Sequence, residues 1–148
     1  MRDVLLVVVV FSTVFCAAVN AYTYQIAYPL WGLVGRTEFA AVHCEYLRRL
    51  DWIITVPHVF MFFSAGLMIW LRPVFVGLAE AIVLFGLEAA VVAVSAFVAG
   101  PVHGRFTRTG VCDEMGLRLL VRISALRVVL MAASCGLVVR WLLALLTR

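Results

Sequence analysis

The 148-residue chain is 66% hydrophobic and 14% charged, with a mean hydropathy of +1.11, whereas soluble domains carry about 25% charged residues. So much apolar side chain cannot hide in a core this small, which excludes an ordinary soluble enzyme, a nucleic-acid-binding domain and a disordered chain. It is also too apolar for a β-barrel, whose lumen-facing residues alternate polar with apolar. The twelve bases, all Arg, stand against eight acids for a net charge of +4. They are dispersed, with no run that would track phosphates, so no nucleic-acid partner is expected and the excess reads as a topology signal.

An all-α integral membrane four-helix bundle remains, a single domain over residues 1–148, since a span takes about 20 residues. Span 1 covers about 4–28. Met1-Arg2-Asp3 ahead of Leu5 to Phe15, with Val19-Asn20-Ala21 beyond, also has the form of a signal peptide; the segment is read here as a span. Thr13, Cys16, Asn20 and Tyr24 form one stripe along it. In loop 29–51, the stretch from Thr37 to Leu50 lacks Gly and Pro. Phe39, His43, Tyr46, Leu47 and Leu50 recur there at helical spacing, with Glu38, Glu45 and Arg49 opposite. This predicts an amphipathic helix continuous with span 2, at about 52–71, with Glu45 and Arg49 as an i,i+4 pair. Span 2 carries His58 directly after Pro57 and ends at Arg72-Pro73.

Span 3 is predicted over about 74–99, stopping at Gly100-Pro101. It carries Glu80 and Glu88, and Gly77 with Ala81 and Gly86 with Ala90 as small-residue packing pairs. His103 follows in loop 100–117. Span 4, about 117–146, carries Arg127 on one face with Ser124 and Ser134, and Arg122 on another. Four spans put both termini and the Arg72 turn on one side, side A, with Arg2, Arg72 and Arg148. Loops 29–51 and 100–117 lie on side B with Arg36, Arg48, Arg49, Arg105 and Arg108. The positive-inside rule makes side B cytoplasmic.

Polar groups are costly in hydrocarbon, so their depth carries information. Counted inward from side B, Glu88 and Arg127 fall at the same depth and form the natural ion pair. Asn20, Tyr24 and His58 also fall in the side B half, below His43 and His103. A polar pocket open toward side B is the economical reading. Each group has a structural reading beside the functional one. The Glu88–Arg127 pair can fix helix register, His58 can satisfy a carbonyl freed by Pro57, and Asn20 can join helices. His43 can pack at the interface, and Arg122 can snorkel to side B. Cys16 and Cys135 read as packing residues, and Cys44 and Cys112 as free thiols. There is no CxxC, HExxH, paired ExxH, phosphate loop or nucleophile elbow. His43, His58 and His103 match no metal or haem motif, although their convergence would allow one, and no cofactor is expected.

Three stretches carry a family resemblance: Tyr28-Pro29-Leu30-Trp31 with Glu38-Phe39 and His43; Gly100-Pro101-Val102-His103; and the Leu/Val-rich helix from Arg118 to Arg127. Together they resemble a family of small four-span proteins, long described only as a domain of unknown function, that includes the fungal anthrone oxygenases. In that family Pro-x-His after span 3 and an Arg in span 4 recur, and His103 and Arg127 match them. An Asn and a Trp commonly precede that Arg; here Ser124 and Leu126 stand in the region. The resemblance implies oxygenation of a lipophilic polyphenol without an obvious bound cofactor.

Two functions follow as expectations. In the first, the bundle binds a lipophilic aromatic or quinone-like molecule and oxidises it with O₂. His58 or His103 is the base, Arg127 holds the oxyanion with Glu88 orienting it, and Asn20, Tyr24, His43 and Arg122 contact the substrate. In the second, the chain is a non-catalytic subunit of a larger membrane complex. Membrane lipid is a partner in both, and a homo-oligomer is compatible with the first.

Overall fold

A computed structural model describes residues 2–147, with Asp51 by its backbone alone; Met1 and Arg148, and with the latter one of the side A arginines, lie outside the described residues. Among the described residues there is no strand, and four helices are long and apolar enough to cross a membrane. They are α1 (Arg2–Trp31), α2 (Phe39–Leu71), α3 (Leu78–Thr109) and α4 (Glu114–Leu146), of 30 to 33 residues each. At about 1.5 Å per residue each exceeds the roughly 30 Å hydrocarbon core, so their ends project beyond it. The chain is an all-α bundle with the composition of an integral membrane protein.

Local chemistry explains the helix ends. Pro73 drives Arg72 into extended backbone (φ −61°, ψ 148°) and ends α2. Asp113 caps α4 by accepting the Gly116 N–H at 2.7 Å. Gly110, at φ +68°, closes α3 in the left-handed conformation, and its N–H bonds to Phe106 O at 2.9 Å. Sequence reasoning stopped this helix at Gly100-Pro101. The helix instead runs through Pro101, because the turn before it is wide enough to clear the proline ring.

The amphipathic segment is continuous with span 2, as its pattern predicts. Phe39 and His43 are buried on it, while Glu45 accepts from Arg48 at 2.8 Å and Arg49 at 2.6 Å on the outer face.

The helices close a ring: α1 packs on α2 and α4, and α3 packs on α2 and α4. Leu6, Val9, Met68, Leu84, Val138 and Trp141 form the core toward side A; Tyr28, Trp31, Phe39, Phe106 and Leu120 form the core toward side B. Cys16, Met61, Val91 and Met131 lie between. Trp141 Nε1–H donates to Glu80 at 2.8 Å, and Arg140 pairs with the same carboxylate, tying α4 to α3 near side A. Gly116 is a close-packed glycine, since a Cβ there would stand 2.8 Å from the Phe106 ring of α3. Gly86 was expected to pack with Ala90, but a Cβ on it would meet nothing within 4 Å; it faces out of the bundle.

The arrangement predicts that protease sites placed next to Arg2 and next to Thr147 are cleaved from the same face of sealed vesicles, and one placed at Gly110 from the other. Cleavage of the two terminal sites from opposite faces overturns the four-span topology.

Candidate functional site

Among the described residues three helices contain one π-helical turn each: Thr23–Ala27 in α1, Asp51–Thr55 in α2 and Ser95–Ala99 in α3. Each ends two residues before a proline, namely Pro29, Pro57 and Pro101. A proline lacks the N–H, and its ring presses on the carbonyl four residues back. Those carbonyls belong to Gln25, Ile53 and Phe97, all inside the wide turns. Widening relieves the clash: the Tyr28 N–H reaches back to Thr23 O, and the Gly100 N–H to Ser95 O. Such turns are frequent at functional sites.

Around them lies a cavity of about 410 Å³ lined by all four helices. Its walls include Leu47, Leu50, Ile54, Val59 and Val92. Its inner end is polar, with Asn20, Thr23 and Tyr28 from α1, His58 from α2, His103 from α3 and Arg127 from α4, all buried. The lining residues Thr55 and Val59 on α2 and Ala96 and Gly100 on α3 are exposed. Contacts between α2 and α3 join 56–71 to 78–94 and 39–50 to 100–109, on either side of the wide turns. The cavity therefore opens sideways between these two helices, toward where the bilayer would lie, and not only toward side B as the sequence suggested. A second apolar cleft, about 480 Å³, lies between α1 and α2, with Leu50 and Ile54 bordering both.

Arg127 is 5% exposed. Its Nη1 donates to Ser95 Oγ at 3.1 Å and its Nη2 to Ser124 Oγ at 2.6 Å, while Nε is buried without a partner. Among the described residues no carboxylate pairs with it. The expected Glu88–Arg127 ion pair is absent: Glu88, fully buried, accepts from Thr13 Oγ1 at 2.7 Å, and its Oε2 has no partner. The register explains this. With α3 extended to Thr109, the residue level with Arg127 is Ser95, and Glu88 lies seven residues, about two turns, deeper. Counting inward from Gly100 had hidden that offset.

His58 lines the cavity with both nitrogens engaged. Nδ1 bonds to Ile54 O at 2.7 Å and Nε2 to Asn20 Nδ2 at 2.9 Å. A carbonyl can only accept, so Nδ1 carries the hydrogen and Nε2 receives the amide N–H. Asn20 Nδ2 also donates to Cys16 O at 2.8 Å, which leaves Oδ1 available on the cavity side. His58 thus binds a local carbonyl, but that of Ile54 and not the Ile53 carbonyl four residues before Pro57, and Asn20 does join two helices.

His103 Nε2 lies 3.1 Å from Tyr28 Oη, and His103 Nδ1 lies 3.2 Å from His43 Nε2. Phe39 stacks on His43, and Trp31 stands edge-on to both imidazoles. His43 sits behind His103 and does not line the cavity. Tyr24 is half-buried and off the lining, because the wide turn rotates the buried face of α1 onto Thr23, Tyr28 and Trp31. Arg122 is exposed and points elsewhere, as its snorkelling alternative implies. Thr23, Tyr28 and Ser95 are the site residues that sequence reasoning missed; three prolines at one level were the available signal.

Among the described residues no three His, Cys, Asp or Glu side chains gather closely enough to hold a metal ion; His58 stands apart from the His43–His103 pair. All four cysteines are free. In the α3–α4 linker, burial and then the Asp113 charge push the Cys112 thiol up, making it a weak nucleophile. No family model, curated protein or solved structure matches the chain.

Thermal unfolding in detergent checks the corrected register. Glu88→Gln and Arg127→Gln should each destabilise by about 1–3 kcal/mol and add within about 0.5 kcal/mol. Thr13→Val and Glu88→Leu should couple, since they share a hydrogen bond. Strong coupling between positions 88 and 127 would restore the ion pair.

Proposed function

We propose that the protein binds a lipophilic aromatic molecule bearing an acidic oxygen, taken up from the bilayer, and oxygenates it with O₂. The observation that carries this reading is the Arg127 guanidinium, buried at the polar end of a cavity with only hydroxyl partners. An unpaired buried cation costs several kcal/mol, and an anionic oxygen in the cavity offsets that cost. Apolar walls and a sideways mouth suit a membrane-dissolved ligand. An accessory subunit has no need of such a cavity.

An anthrone-type substrate carries an acidic CH₂ between two aromatic rings. Loss of one proton gives an enolate whose oxygen Arg127 stabilises. Its electron-rich carbon adds O₂, and protonation gives a hydroperoxide. Loss of the second C–H proton with hydroxide then leaves a ketone and water. One oxygen atom enters the ketone and the other the water, and no external reductant is consumed. Tyr28 and His103 border the cavity as the proton acceptor. Asn20 Oδ1 accepts a phenolic O–H, and His58 fixes the Asn20 amide. Ser95 and Ser124 take the orienting role that sequence reasoning gave to Glu88. The arginines of loops 29–51 and 100–117 favour a cytoplasmic location for that side.

The test is O₂ uptake by the protein in lipid nanodiscs supplied with 1,8-dihydroxyanthrone, measured against empty nanodiscs. Uptake should match ketone formed one to one. Arg127→Gln should lower kcat by about 10²–10³-fold in folded protein. Neither binding nor uptake above the empty discs overturns the reading.

A further inference from the structure

We propose that Tyr28, His103 and His43 form a proton relay leading from the cavity toward side B. This rests on the oxygenase reading for its use, but its geometry stands independently. The three groups come from α1, α3 and α2 and are joined by two hydrogen bonds, of 3.1 Å and 3.2 Å. All are buried, at 2%, 8% and 1% exposure. The imidazole planes lie within 13° of parallel, held by Phe39 on one side and Trp31 at the edge. Tyr28 and His103 border the cavity, and His43 does not. Among the described residues His43 Nδ1 has no hydrogen-bond partner, so the chain has one end in the cavity and one behind it.

A neutral imidazole carries one N–H, so only two hydrogen arrangements satisfy both bonds. In the first, Tyr28 O–H donates to His103 Nε2, His103 Nδ1–H donates to His43 Nε2, and His43 carries its hydrogen on Nδ1. In the second, His43 Nε2–H donates to His103 Nδ1, His103 Nε2–H donates to Tyr28 Oη, and the phenol hydrogen turns to the cavity. Passage from the first to the second moves one proton out. The substrate C–H bond breaks as its proton reaches Tyr28 Oη, the phenol proton passes to His103 Nε2, the His103 Nδ1 proton passes to His43 Nε2, and the His43 Nδ1 proton leaves to water. The electron pair stays on the substrate carbon. The reverse passage returns a proton to the peroxide anion formed with O₂. One turnover restores the first arrangement, and neither ring has to rotate. His43 touches no substrate; it is a positioning and relay residue acting through His103.

Two measurements test this. In ¹⁵N-histidine-labelled protein in nanodiscs, solid-state NMR reads the tautomer of each ring. Matched tautomers are expected at positions 43 and 103, both Nδ1–H or both Nε2–H, and Tyr28→Phe should alter both rings together. Opposite tautomers would set two lone pairs or two N–H groups face to face and overturn the relay, whether or not the anthrone turns over. The second measurement is kinetic. His43→Gln keeps an acceptor for His103 Nδ1–H but cannot take one proton and release another. It should lower kcat about tenfold or more and change the solvent isotope effect, with KM held within about twofold, while His43→Phe reports the cost of losing the bond altogether. A His43→Gln enzyme with unchanged kcat and isotope effect overturns the relay and leaves the oxygenase reading standing. Wild-type protein with matched tautomers and no turnover overturns the oxygenase reading and supports the relay.

Discussion

Three prolines without N–H groups, set inside helices that cross hydrocarbon, constrain everything else in this bundle. In water a helix can break at such a point and let solvent take the freed carbonyls. In lipid every backbone group needs a protein partner, so the helix goes on and its turn widens. Pro29, Pro57 and Pro101 act at one level of three neighbouring helices. Three wide turns side by side push α2 and α3 apart, and the cavity is the space that results. The same turns rotate Tyr28 and Trp31 into the bundle and bring Ser95 level with Arg127.

The two strongest buried charges of the sequence are kept apart. Paired, Glu88 and Arg127 would neutralise each other and leave an inert cavity end. Two turns apart, Glu88 rests on Thr13 among apolar neighbours, and Arg127 faces the cavity held by two serine hydroxyls. Hydroxyls orient a guanidinium without cancelling its charge, so the full field remains for a ligand. Placing that charge in a low-dielectric, water-poor setting strengthens its effect on any oxyanion that forms there.

The histidines divide into two kinds. His58 has both nitrogens committed and acts as a strut between α2 and Asn20. His103 and His43 are linked nitrogen to nitrogen, with a phenol at the cavity end. A ring whose nitrogens bond to groups that both give and take protons can change tautomer; one held between a carbonyl and an amide cannot. In the proposed relay, proton traffic therefore falls to the pair and not to His58.

Composition alone determined the class of protein, because so apolar a chain has no stable place in water, and span lengths set four helices. The amphipathic extension was legible from Phe39, His43 and Glu45, as period and charge fall on opposite faces of one continuous helix. Asn20, His58 and Arg127 were legible as cavity residues by depth, since each is costly in hydrocarbon unless it faces inward; His103 was read in a loop above the pocket, and the family resemblance drew it in. The helix boundary at Gly100-Pro101 was not legible, because a proline signals a stop in water and a wide turn in a bundle that supplies other partners. From that one boundary came the false pairing of Glu88 with Arg127, an error of two turns. Tyr24 falls on the stripe of the sequence while Tyr28 lines the cavity, because a 3.6-residue period cannot register an extra residue in one turn. Which polar groups meet, and which face an open space, was decided by tertiary packing, because the phase of each helix is set by where its neighbours can relieve a missing hydrogen bond.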